Sequence, residues 1–303
     1  MKDAATAFGA AVFAPWLRLL PEPSIADRIA AMEPIKGWKV PDNEERQISL
    51  ANPDFFTKPR GPSGNKIITA QFDENQYKRL KPQYLPHLKS ASYKANSCSE
   101  AVIATVLKTF AYFKTGDVPD ISIADVINEL MDVTHQGNHL IQPNNTTMQD
   151  NHMKWAIEFF GQKTGMFSAV PLTPDWGLNN THVVTPSQWN PLLESAKMKV
   201  FDEGGFGIVR GLKYGLTKGT VAHFVIIGSL SPDKKPLIVD SRGPKQLGDA
   251  ATSETLGSYF ERVRPQDAPA WAPDWANQPG LLWMGGVVPT SNSTKPVNRR
   301  EID

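Results

Sequence analysis

Asn96-Ser97-Cys98-Ser99-Glu100-Ala101-Val102-Ile103-Ala104-Thr105-Val106-Leu107-Lys108-Thr109-Phe110 leads the chain's one cysteine into an apolar run with helical spacing. Val102, Ile103, Val106, Leu107, Phe110 and Phe113 recur at i, i+3 and i+4, which predicts a helix over Ser99–Lys114 with a wide apolar face. Thr115-Gly116-Asp117 should stop it. Ser97-Cys98-Ser99-Glu100 has the form of a capping box, with Ser97 as N-cap and Glu100 at the third helical position. Cys98 then opens the first turn, where free backbone N–H groups and the positive end of the helix dipole favour a thiolate. Glu100 is expected to work against this locally, so a cationic imidazole is still needed.

A candidate imidazole sits in Val221-Ala222-His223-Phe224-Val225-Ile226-Ile227-Gly228, an almost wholly apolar run that predicts a strand. A polar ring buried there without a partner costs roughly 1–3 kcal/mol. Asp240 closes the next apolar run, Leu237-Ile238-Val239-Asp240, and Ser231-Pro232-Asp233-Lys234 between them is turn sequence. A turn centred near Pro232-Asp233 places Asp240 opposite His223 or Val225. Either register brings the carboxylate within reach of the ring. A carboxylate that orients an imidazole beside a thiol is the arrangement of nucleophilic catalysis. The plain alternative is a satisfied His–Asp hydrogen bond in the core.

Around these two signals the rest of the chain sorts into helices first and strands later. Further helices are expected at about 122–134, 148–162 and 186–197, and strands at Phe206–Leu212, Val221–Ser229, Pro236–Asp240 and Leu281–Val288. That order predicts an α+β fold and not a doubly wound sheet. Residues 1–85 are interrupted by prolines from Pro21 to Pro62 and read as a proline-rich extension that wraps a core, with Ile67-Ile68-Thr69-Ala70 as a candidate strand. Residues 86–289 form the main domain, and the polar 290–303 reads as a loose tail.

Composition excludes several classes of partner. Lys+Arg 32 against Asp+Glu 31, with no basic run, argues against nucleic acid and anionic membranes. A single cysteine forbids an internal disulfide. The apolar run Ala4 to Leu20 is broken by Pro15 and Arg18, too short and irregular to span a bilayer. Asp3 cancels Lys2 and no clean cleavage motif follows, so no convincing signal peptide is present. The expected location is cytoplasmic, or exported without cleavage.

Phe206-Gly207-Ile208-Val209-Arg210-Gly211, then Ala222-His223-Phe224-Val225-Ile226-Ile227-Gly228, then Ile238-Val239-Asp240-Ser241-Arg242-Gly243 resembles the second half of papain-like cysteine peptidases. The likeness is strongest to the bacterial double-glycine (bacteriocin-processing) type, in which His opens one strand and Asp closes the next. The match covers about residues 90–250 and includes Asn96-Ser97-Cys98-Ser99-Glu100-Ala101 as the start of the nucleophile helix. It implies a papain-like fold with Cys98 as nucleophile, His223 as general base and then acid, and Asp240 as orienter. One position departs: where the family carries an oxyanion-hole Gln shortly before the Cys, residue 92 is Ser. Asn96 is the nearest amide side chain and could act with the backbone N–H of Cys98, with Gln83 a more distant option.

These readings imply a thiol hydrolase that needs no cofactor and cleaves an amide bond in a peptide or protein, a peptidoglycan peptide among the candidates. An exported bacterial effector would suit the uncleaved N-terminus. Glutamine deamidation or acyl transfer by the same triad, and a non-catalytic binding protein that keeps the fold, stay open. His135, His139 and His152 have poor metal-ligand spacing, with Gly137 and Asn138 between the first two, and no metal is expected. Gly204-Gly205-Phe206-Gly207 precedes a strand, so it reads as a turn and not a phosphate loop. Trp271, Trp275 and Trp283 among Pro269, Pro273 and Pro279 read as packing for the C-terminal segment, with a substrate groove as the alternative.

Overall fold

A computed structural model describes residues 22–33, 70, 74–86, 88, 96–141, 148, 150–173, 186–214, 220–230, 236–240 and 281–290. Its helices are α1 (Ile25–Ala30), α2 (Glu74–Tyr77), α3 (Cys98–Thr115), α4 (Ile123–Leu130), α5 (Asp150–Thr164) and α6 (Pro186–Ala196), the last continued by a wide turn over Lys197–Phe201. The strands are β1 (Thr134–His135), β2 (Asn138–His139), β3 (Phe167–Pro171), β4 (Phe206–Tyr214), β5 (Thr220–Leu230), β6 (Pro236–Val239) and β7 (Leu281–Pro289). β1 and β2 form a small hairpin, while the other five strands make one antiparallel sheet in the order β3-β7-β4-β5-β6. Helices and antiparallel strands are mixed as an α+β arrangement requires.

The sheet is buried on both faces, which explains why its strands read as continuous apolar runs. Side chains alternate along a strand. Phe206, Ile208, Phe224, Ile226 and Val239 therefore join the core of α1, α3, α4 and α5. Val209, Val225, Ile227 and Ile238 point the other way and pack with Leu192, Leu193, Ala196, Val200 and Phe201 of α6 and its following turn. The ring of Phe110 on α3 meets those of Phe206 and Phe167 with centroids 5.3 Å away in each case, which locks the long helix to the sheet.

α3 is buried nearly all round from Ala101 to Leu107 and beyond, more than the one-sided stripe its spacing announced. Its end is built by Gly116, left-handed at φ 78, whose N–H bonds Tyr112 O at 2.7 Å. α4 starts on a complete capping box, Ser122 with Asp125. Its polar side ties down the earlier chain. Asp125 accepts from Arg79 at 3.1 Å and Arg28 at 3.4 Å, and Asn128 takes the Lys81 N–H and gives to Arg79 O, both at 2.8 Å. Ile25, Ile29, Leu80, Tyr84 and Leu88 thereby enter the same core as α3. Of Ile67 to Ala70, only Ala70 lies within the described residues, and its N–H bonds Thr105 Oγ1 of α3 at 2.9 Å.

Several boundaries differ from expectation. The helix expected to reach residue 134 stops at Leu130, because Gln136 and Gly137 both hold positive φ (50 and 81) and turn the chain into the β1–β2 hairpin. α5 lies two residues later than expected, over Asp150–Thr164. β3 was not anticipated; it follows the left-handed Gly165 and pairs with β7 at the sheet edge, where Pro171 is tolerated. Strands therefore begin before the last helix. The Trp271 and Trp275 segment lies outside the described residues.

Gly204 and Gly205 form the expected turn before β4. Gly204 is left-handed at φ 82, and a Cβ on Gly205 would lie 1.9 Å from Val287 O. Backbone fills that space, so nothing flexible can yield. Gly205→Ala is expected to lower stability by about 1–3 kcal/mol, read as an earlier urea midpoint with an unchanged slope.

Candidate active site

Cys98 is the first residue of α3, with Ser97 as N-cap. The first ladder bond is Ala101 N–H to Ser97 O at 3.0 Å, so the Cys98 N–H precedes the ladder. The expected capping box does not form. Ser97 has φ −96 and ψ 26, outside the extended geometry of a side-chain cap, and makes no cap hydrogen bond. Instead Ser99 Oγ donates to Glu100 Oε2 at 2.8 Å, and the carboxyl also takes its own backbone N–H.

Glu100 has no exposed surface, and its Oε1 has no hydrogen-bond partner among the described residues. Burial, together with the neighbouring Cys98, drives its pKa well above the ordinary carboxylate value, against the two hydrogen bonds that favour ionisation. Cys98 is among the causes that raise it, so the two groups oppose one another's ionisation, as expected from the sequence.

His223 is on β5 and Asp240 follows β6; their side chains are 1% and 0% exposed. Nε2 of the ring and Oδ1 of Asp240 are 3.0 Å apart. The register explains the meeting. Ile226 faces Val239 and Ile227 faces Ile238, so the next step puts Asp240 opposite Val225, diagonal to His223 on one face. That is one of the two expected registers. It depends on an irregularity, because beyond Gly228 the pairing becomes Ser229 with Leu237 and Leu230 with Pro236. Carried on without the extra residue, the pairing would set Asp240 opposite Ile226 and turn it to the wrong face.

The imidazole also shares a hydrogen bond with Cys98. Nε2 is engaged by Asp240, which leaves Nδ1 as the ring nitrogen available to the thiol. Burial by itself pulls the His223 pKa down, but the hydrogen bonds and charges of Asp240 and Cys98 outweigh it and hold the pKa above the ordinary value. Cys98, His223 and Asp240 are thus one contiguous group. Asn96 is half-buried, two residues before Cys98. Gln83 is exposed and hydrogen-bonds Tyr84.

One neighbour was overlooked in the sequence. Arg210 on β4 lies opposite Phe224, next to His223, with its guanidinium carbon 5.5 Å from the Phe224 ring centre. Burial lowers its pKa to about 10, with Cys98 acting in the opposite sense. A charged residue within a run such as Gly207-Ile208-Val209-Arg210-Gly211 is the signal that could have marked it.

Farther away, His135 and His152 meet at Trp155, and His139 is apart from them. His135 pairs with Asn138 and Thr134 with His139, so His135 and His139 point to opposite faces of their hairpin. His135 stacks on Trp155 at 3.7 Å, and His152 Nδ1 bonds Leu140 O at 2.9 Å. Among the described residues no group of three or more His, Cys, Asp or Glu could hold a metal ion, and no helix is long and apolar enough to cross a membrane. No family model matches the chain, and no curated protein matches it.

Glu100 has a measurable linkage to pH. Its folded pKa is raised, so the unfolded state releases the proton first, and stability falls as pH climbs above the ordinary 4.5. Glu100→Gln removes that dependence. Its stability relative to wild type should improve between pH 5 and pH 8 by at most about 1.4 kcal/mol per pH unit, measured by urea unfolding at both values. An unchanged difference would show Glu100 to be ionised in the fold.

Proposed function

We propose that the protein is a papain-like thiol hydrolase that cleaves an amide bond in a peptide or protein, a peptidoglycan peptide being one candidate. The observation that carries this reading is the shared hydrogen bonding of one buried ring, His223, to Cys98 at a helix start and to Asp240. The chain order, Cys on a long helix and then His and Asp on successive antiparallel strands, fits the papain-like resemblance.

Each residue has a role that its surroundings favour. Asp240 fixes the ring tautomer and stabilises the imidazolium, because a buried carboxylate favours the cationic partner. His223 takes the Cys98 proton on Nδ1. The thiolate attacks the amide carbonyl carbon, the C–S bond forms, and the carbonyl π electrons move to oxygen. In this reading the Cys98 backbone N–H and the Asn96 side-chain amide donate to that oxyanion. As the C–N bond breaks, His223 returns its proton to the leaving amine. Water, deprotonated by His223, then attacks the thioester, and the acid and the free thiol are released.

Cys98 is the one cysteine of the chain, so alkylation reports on it alone. Iodoacetamide near pH 7 should modify wild type rapidly and His223→Ala slowly. On peptidoglycan and on a denatured protein mixture, Cys98→Ala should abolish product and His223→Ala should lower turnover by about 10²–10⁴-fold. Mass spectrometry separates bond cleavage from a deamidation shift of about one dalton. Equal alkylation of wild type and His223→Ala, with no product, would remove the enzymatic reading.

A further inference from the structure

We infer that Arg210 is a positioning residue for the Cys98 thiolate, its guanidinium supplying a second positive charge to the ionised Cys98–His223–Asp240 group. This rests on the reading of Cys98 as the nucleophile.

Charge provides the first argument. With Cys98 ionised and His223 protonated, the group holds a thiolate, an imidazolium and the Asp240 carboxylate, and so sums to one negative charge. Glu100 lies beside it, and burial raises its pKa, which disfavours a further negative charge there. An uncompensated charge beside the buried His223 and Asp240 is expensive, even with Cys98 itself only half-buried. Arg210 brings the sum to zero. Its charge and that of Cys98 act on one another, which is how the thiolate draws the guanidinium back toward its ordinary pKa.

Geometry provides the second. Arg210 shares the face of β4 that carries Phe206 and Ile208, the face packed against the helices. Phe206 is fixed against Phe110 of α3. From Phe110 back to Cys98 the helix covers roughly 18 Å, and from Phe206 on to Arg210 the strand covers roughly 13 Å. His223 pairs with Gly211, the neighbour of Arg210, and meets Cys98, which brings Arg210 and the thiol to the same end of the helix–sheet interface. There Phe224, directly across from Arg210, lies under the guanidinium at 5.5 Å and restrains it. His223, the residue before Phe224, reaches the thiol from the neighbouring strand. The thiolate is thus approached by two cations, one that exchanges protons with it and one that does not.

A role confined to packing would leave the thiol's titration alone, so the decisive readout is a pH profile. Wild type, Arg210→Met, Arg210→Gln and Arg210→Lys are alkylated with iodoacetamide from pH 4 to pH 9 and followed by intact mass, with circular dichroism to check the fold. Both neutral variants are expected to raise the midpoint for Cys98 by about 1–3 units, while Arg210→Lys stays close to wild type. Should Arg210→Met fail to fold, Arg210→Gln, which keeps a polar head, carries the same comparison. A folded neutral variant with the wild-type midpoint overturns the inference and leaves the nucleophile reading standing. A wild-type Cys98 that itself titrates near the ordinary 8.5 overturns both.

Discussion

The site depends on a register of one residue between β5 and β6. A strand pair offers two faces, and a slip by one position exchanges them. The extra residue near Gly228 places Asp240 on the His223 side, and the buried hydrogen bond between them follows from it. Without it the sheet would hold a carboxylate buried against Phe224 and Ile226, which is too costly to keep ionised. The ring would lose its orienting partner, and the thiol would face an imidazole that burial pushes toward neutrality. The bulge therefore acts on chemistry two contacts away, through position alone.

Burial then divides the acidic groups into two kinds. Asp240 has the imidazole as a partner; Glu100 has a serine hydroxyl, its own N–H and an uncommitted oxygen. The same loss of water thus favours an ion pair at one carboxyl and protonation at the other.

How much of this could be read beforehand depended on the range of the interaction involved. The spacing of Val102, Val106 and Phe110 and the apolar runs at Val221 and Leu237 mark elements whose burial is repetitive, and those elements lie where expected to within a few residues. The meeting of His223 with Asp240 was legible because a short connection limits the registers to a few. The Ser97–Glu100 box misled because its pattern occurs where Glu100 is wholly buried, and burial is a tertiary property that a local motif does not encode. By contrast, Ser122 with Asp125 forms the same kind of box where Arg79 and Arg28 reach the carboxylate. β3 and Arg210 escaped notice for a related reason: each is defined by a partner distant in sequence, β7 in one case and α3 in the other.

β7 has a consequence for how such a sheet comes into being. It lies between β3 and β4, although it is the last in chain order among the described strands. β4, β5 and β6 are a meander of neighbours whose contacts close short loops, whereas β3 can join them only through a strand that emerges from the ribosome more than a hundred residues later. During synthesis α3, His223 and Asp240 all exist while the sheet is still in two pieces. Completion of the sheet is thus deferred until β7 is inserted, and the wait leaves two strand edges open to wrong partners.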